Sequence, residues 1–167
     1  MGGESQDDFL KRRNIELDKA LRLEPHNVPL WLEFATFQDE VALAAYSSYV
    51  GESTKRSLNK TERTSTSEIK MSILARALSF SANAAAEPLL LAQLRAAAEV
   101  EEATVVLARW KETLRTHPTL TGLWIEYVSW RQSNSVNFGV REVVEVFVEC
   151  FEVLKRSMDK EREGSSG

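Results

Sequence analysis

The sequence predicts an all-α fold of about seven helices, each antiparallel to its chain neighbour and stacked as hairpins. Three observations carry that expectation. Apolar residues recur with a period near 3.6 along most of the chain, and no stretch alternates as a strand would. Seven Gly and four Pro in 167 residues are too few for a turn-rich β fold. One layout also occurs twice, as EPHNVPLWLEFATFQDE at Glu24–Glu40 and THPTLTGLWIEYVSWRQ at Thr116–Gln132. In each, a Pro stands six residues before a Trp, which is followed by an apolar residue, a Glu and aromatics at matching offsets.

The elements follow in order. Segment one, from about Asp7 to Leu23, carries Leu10, Leu17, Ala20 and Leu21 at helical spacing and charges on its other face. Pro25 and Pro29 stop it. Segment two starts near Asn27 or Val28, and Trp31, Phe34, Phe37 or Gln38, Val41, Ala44 and Ala45 form one mainly apolar stripe until it fades around Tyr46–Tyr49. GESTKRSLNKTERTSTSE then loses all apolar period, so residues 51–67 are expected to form a flexible Ser/Thr-rich loop. Segment three, about Ser67 to Phe80, holds Ile69, Ile73, Leu74, Ala77 and Leu78. SANAAAEP breaks it, and Pro88 opens segment four with Leu90, Leu91, Leu94, Ala97 and Ala98. Segment five follows Val100–Glu102 with Val105, Val106, Leu107, Trp110 and Leu114, and His117–Pro118 end it. Segment six runs from Leu120 to about Gln132, and SNSVNFG separates it from segment seven, about Gly139 to Met158. The expected organisation is a tail at 1–8, a single helical-repeat domain at 9–158, and a second tail at 159–167.

Each hairpin ends its first helix in small and Leu-type residues and opens its second on a large apolar one: PLWLEF, EPLLLAQL and GLWIEY. The middle copy has Leu where the outer two have Trp. No such unit buries its apolar face alone, so neighbours must stack. Trp31, Phe34, Phe37, Trp110, Trp124, Tyr127 and Trp130 are therefore expected to be packing anchors rather than ligand platforms. A buried large apolar side chain contributes about 1.5–3 kcal/mol by area.

Bulk composition excludes several classes. A formal charge of −4 argues against broad electrostatic binding of nucleic acid. Cys150 is the only cysteine, so no internal disulfide forms, and its Phe147, Val148 and Phe151 neighbours suggest a buried thiol. No apolar run reaches membrane-spanning length, and MGGESQDD is not a signal sequence. His26 and His117 fall in interhelix turns and make no metal-ligand spacing with one Cys. Asp39–Glu40 and Glu99–Glu102 read as solvated helix faces rather than catalytic carboxylates. No cofactor and no enzymatic activity is expected. The basic run Lys11, Arg12, Arg13 reads as a solvated face pairing with Glu16. Lys55, Arg56, Lys60 and Arg63 in the loop are the candidate RNA or partner contacts, because they cluster without a helix to support.

The Trp-x-x-Phe/Tyr-x-x-aromatic openings at Trp31 and Trp124, with the Ala-Leu turns and Pro, resemble half-a-TPR (HAT) repeats. VPLWLEFATFQDE, MSILARAL and the stretch from LARWKETLRTHP through Trp130-Arg131-Gln132-Ser133, Phe138 and the Cys150 helix resemble the opening repeats of the nuclear RNAi-defective family ("necessary for RNA interference, two"). That resemblance covers roughly residues 9–155. It implies a right-handed α–α solenoid of HAT/TPR-like hairpins and a nuclear scaffold in RNA silencing, linked to splicing factors and to the nuclear RNA exosome through its DExH helicase. The family's helicase-binding segment lies upstream of its repeats, so no helicase-contact residue is assigned here. The expected function is a protein–protein interaction module, with direct RNA binding through the basic loop as the alternative. Self-association through an uncapped repeat end, at Val144, Phe147 and Phe151, is a further expectation.

Overall fold

The computed structural model describes residues 2–50, 60–135 and 139–165. Within them lie seven α-helices, one 3-10 turn and no strand. In chain order these are α1 (Gln6–Leu23), α2 (Val28–Val50), α3 (Lys60–Leu78), the 3-10 turn Ser81–Asn83, α4 (Glu87–Val100), α5 (Ala103–Thr116), α6 (Thr121–Asn134) and α7 (Val140–Gly164). The chain divides into two compact units, residues 1–101 and 102–167. In the first, α1 packs on α2, α2 on α3 and α3 on α4, with α2 also reaching α4. In the second, α5 packs on α6 and α6 on α7. Chain neighbours are thus spatial neighbours within each unit, as the short connections require.

Local chemistry fixes the helix ends. The Ser5 hydroxyl accepts from the Asp8 amide at 3.1 Å, so α1 begins at Gln6, inside the stretch expected to be a tail. Asn27 caps α2, its side-chain oxygen accepting from the Leu30 amide at 3.1 Å. Pro88 sits in the first turn of α4, where its missing N–H has no helical partner to lose. Glu142 reaches back to the Gly139 amide at 2.8 Å at the head of α7, and that backbone bond, with one from its own amide, holds its carboxyl below the usual range.

Two boundaries differ from expectation. Helix α3 starts at Lys60, so residues 60–67 are helical rather than looped; residues 51–59 lie outside the described residues. Its first turns bury Thr66 and Ser67 instead of apolar side chains, which removes the periodic signal. The Thr64 and Thr66 hydroxyls donate to the carbonyls of Lys60 and Glu62, at 2.9 and 2.8 Å. Helix α7 continues to Gly164 through residues that are nearly all charged and exposed, so burial gave no pattern to read there.

The core of the first unit comprises Leu10, Leu17 and Leu21 of α1, Trp31, Phe34, Ala35 and Phe37 of α2, Leu74 and Ala77 of α3, and Leu89 of α4. In the second unit Val106, Trp110, Leu114, Leu123, Tyr127 and Val146 are buried.

Candidate functional site

The twice-occurring layout has one physical cause in both units. The first helix ends on a residue of near-identical geometry: Glu24 at φ −124°, ψ 63° and His117 at φ −126°, ψ 60°. Each donates its amide to the carbonyl four residues back, Ala20 at 2.8 Å and Thr113 at 2.9 Å. The following Pro cannot donate, but its carbonyl accepts. The Trp31 indole N–H donates to the Pro25 carbonyl at 2.9 Å, and the Trp124 indole to the Pro118 carbonyl at 2.9 Å. The six-residue spacing therefore sets a side-chain clasp across the turn, satisfying a buried indole N–H and a turn carbonyl together.

Around Trp31 the clasp is reinforced from α3 and the 3-10 turn that follows it. Arg76 lies over the indole, 4.8 Å from the ring centroid, and donates to Asp18 of α1 at 3.2 Å. Hydrogen bonding from Arg76, then from Arg22, holds the Asp18 carboxyl below its ordinary range despite partial burial. Phe80 packs 6.2 Å from Trp31 and edge-on to His26. Asn83 is 1% exposed, and its amide donates to the Pro25 carbonyl at 2.8 Å and the Ala77 carbonyl at 3.0 Å. Pro25 thus takes donors from its own hairpin and from the next turn. Nothing periodic marks Asn83 or Arg76 in the sequence; a lone Asn inside an Ala-rich break was the one available signal.

Around Trp124 the neighbours differ. Tyr127 is buried between Trp110, 5.7 Å away, and Trp124, 6.3 Å away. Arg131 donates to the Tyr127 hydroxyl at 3.0 Å, and that hydroxyl donates to Glu149 of α7 at 3.2 Å. Burial pushes the phenol's pKa up, and the Arg131 bond opposes it. Trp31, Phe34, Phe37, Trp110 and Tyr127 are buried, whereas Trp124 and Trp130 are half-buried. The Trp110 indole N–H is buried with no hydrogen-bond partner among the described residues.

Two of the four candidate basic contacts fall among the described residues, both exposed. Lys60 and Arg63 lie on the first turn of α3, and Arg63 donates to Glu99 of α4 at 2.8 Å. Lys55 and Arg56 lie outside the described residues. Lys11 and Arg12 pair with Asp7, Glu4 and Glu16, and Arg13 reaches Glu33 of α2. Asp39, expected on a solvated face, instead joins α2 to α3 through Lys70 at 2.8 Å.

Those two interhelix ion pairs border a groove of about 600 Å³ across α2, α3 and α4. Leu32 and Ala35 of α2, Leu74 of α3, and Leu91 and Ala92 of α4 supply its apolar lining, while Lys70, Arg95 and Glu99 supply its charge. Apolar lining with charge of both signs suits a peptide segment and offers no concentrated positive field for phosphates. Among the described residues no three His, Cys, Asp or Glu are placed to share a metal ion, and no helix is long and apolar enough to cross a membrane.

The family model described as NRDE-2, necessary for RNA interference, matches residues 12–166. The human protein named Nuclear exosome regulator NRDE2 is 29% identical over 158 residues, spanning 93% of this chain and 13% of its own length. The mouse protein of the same name is 30% identical over 150 residues, spanning 90% of this chain and 12% of its own. The chain therefore spans roughly an eighth of the curated relatives it matches. No solved structure matches it. A family match running through both clasped turns and all of the helical structure after the first six residues of α1 settles the affiliation: the chain belongs to the NRDE-2 family.

Proposed function

We propose that this chain is a non-catalytic, protein-binding scaffold module of a nuclear factor that regulates the RNA exosome, built from HAT-like hairpins. The groove across α2–α4 carries this reading, because its apolar lining and paired rim charges suit a partner's peptide segment with apolar anchors. The names of the human and mouse relatives support the nuclear and exosome setting. The partner is a splicing-related protein or the exosome-associated helicase. The alternative, direct RNA binding through Lys55, Arg56, Lys60 and Arg63, is disfavoured by the net acidity and by the Arg63–Glu99 pair.

The test is affinity purification from nuclear extract, with and without nuclease, read by mass spectrometry. Exosome-associated or splicing proteins should persist after nuclease and be lost with Leu91→Glu in the groove, circular dichroism confirming an unchanged helix content. Recovery that nuclease abolishes, together with salt-sensitive RNA affinity removed by reversing those four charges, would move the assignment to RNA.

A further inference from the structure

We propose that the hollow between α1 and α3 binds an acidic peptide segment of a protein partner, held by aliphatic anchors, at a site separate from the α2–α4 groove. The hollow measures about 580 Å³, with α1 and α3 as its walls and Phe34 and Gln38 of α2 between them. Both walls carry the same arrangement. Ile15 stands seven residues before Arg22 on α1, and Ile69 stands seven before Arg76 on α3. Seven residues are two helical turns, about 10 Å, and keep each pair on one face of its helix. Ile15 is 53% exposed and Ile69 51%, so the hollow keeps two aliphatic side chains open to solvent.

The charges that choose the occupant line this same hollow: Lys19, Arg22 and Arg76 against Asp18 alone. Asp18 is already engaged, by Arg22 at 2.9 Å and by Arg76 at 3.2 Å. Lys19 is exposed and makes no ion pair or hydrogen bond among the described residues. An excess of cations on an apolar track complements carboxylates. Isoleucine side chains offer nothing to a phosphate backbone, whereas one peptide strand carries acidic and aliphatic groups together. An extended strand advances about 3.3 Å per residue, so an anchor at the isoleucines and a carboxylate at the arginines stand about three residues apart. Asn14 and Gln38 add recognition of the peptide backbone. Gln38 Nε2 donates to the Phe34 carbonyl at 3.2 Å and to Asn14 Oδ1 at 3.5 Å. The Asn14 amide N–H groups and the Gln38 side-chain oxygen have no partner among the described residues, and present donor and acceptor to a peptide bond. Both residues also line a second hollow of about 740 Å³, where Leu10, Val41 and Ala44 prolong the apolar track. This site and the α2–α4 groove can each fail without the other.

Selection of phage-displayed random peptides on the 167-residue chain tests the proposal, with peptides of about twelve residues, enough to outrun the track. Recovered sequences should place Asp or Glu about three positions from Leu, Ile, Val or Phe. Fluorescence anisotropy of a recovered peptide should show a dissociation constant raised about tenfold or more by Lys19→Glu and by Ile15→Ser. Helix content by circular dichroism should be unchanged in both, and Leu91→Glu in the α2–α4 groove should leave the affinity as it was. Selection on the Lys19→Glu chain should lose the acidic enrichment. No recovered peptide, no acidic enrichment, or binding indifferent to both variants would overturn the proposal. So would loss of binding in Leu91→Glu, which moves the peptide to the other groove, or displacement of the peptide by single-stranded RNA. A dimer in sedimentation equilibrium that Lys19→Glu dissociates would give the hollow to a second copy instead.

Discussion

Replacing Asn83 by Ala should destabilise the first unit by about 2–3 kcal/mol. The side chain is 1% exposed and donates twice, to Pro25 at 2.8 Å and to Ala77 at 3.0 Å. Each such bond contributes about 0.5–1.5 kcal/mol net. Loss of the amide's packing adds about 1 kcal/mol, because a buried site relaxes only partly around a smaller side chain. The loss is moderated because Pro25 keeps the Trp31 indole as a donor. Asn83→Asp should be worse than Ala, since a carboxylate would face two carbonyl oxygens with nothing to donate. Urea denaturation followed by circular dichroism measures the change. Hydrogen exchange assigns it to the first unit, where the Trp31 and Ser79 amides flanking the two turns should lose protection. A midpoint shift worth less than about 0.5 kcal/mol, or Asp and Ala variants of equal stability, would refute the reasoning that these two bonds tie the turns together.

Other outcomes follow from the same contacts. Trp31→Phe should cost about 2–4 kcal/mol, because it removes the Pro25 clasp and part of the Arg76 contact from a 1% exposed site. Trp124→Phe breaks the matching Pro118 bond at a half-buried ring and should cost about half as much in the same denaturation assay. Asp18 has a folded pKa below its unfolded value, so its contribution is present above the ordinary carboxylate range, about pH 4, and fades as pH falls through the lower folded value. Asp18→Asn should therefore flatten the acid limb of the stability–pH profile below about pH 4, and an unchanged limb would contradict the Arg76 pairing.

Much of the fold was legible because burial wrote a periodic signal. Leu10, Leu17 and Leu21, or Val106, Trp110 and Leu114, announce their helices by spacing alone. The start of α3 was not legible because Thr66 and Ser67 take the buried positions and satisfy their surroundings by local bonding, which no hydrophobic period records. The clasp was half legible: Pro and Trp six apart, twice, marked a shared geometry, but only coordinates reveal that an indole N–H meets a prolyl carbonyl. The groove was not legible at all. Leu32, Leu74 and Leu91 come from three helices, and Asp39 and Glu99 each looked like solvent-facing charge until Lys70 and Arg63 were set opposite them.

The doubly occupied carbonyl of Pro25 bears on how the first unit opens. Trp31 grips it from within the α1–α2 hairpin and Asn83 from beyond α3, so the two hairpins cannot part without breaking the Asn83 bond, while the Trp31 bond stays with the first. Modules of this kind ordinarily unravel from an end, one repeat at a time. Here one oxygen atom joins the first hairpin to the turn after α3, and parting them forfeits the Asn83 bond, about 0.5–1.5 kcal/mol, beyond what apolar stacking already holds.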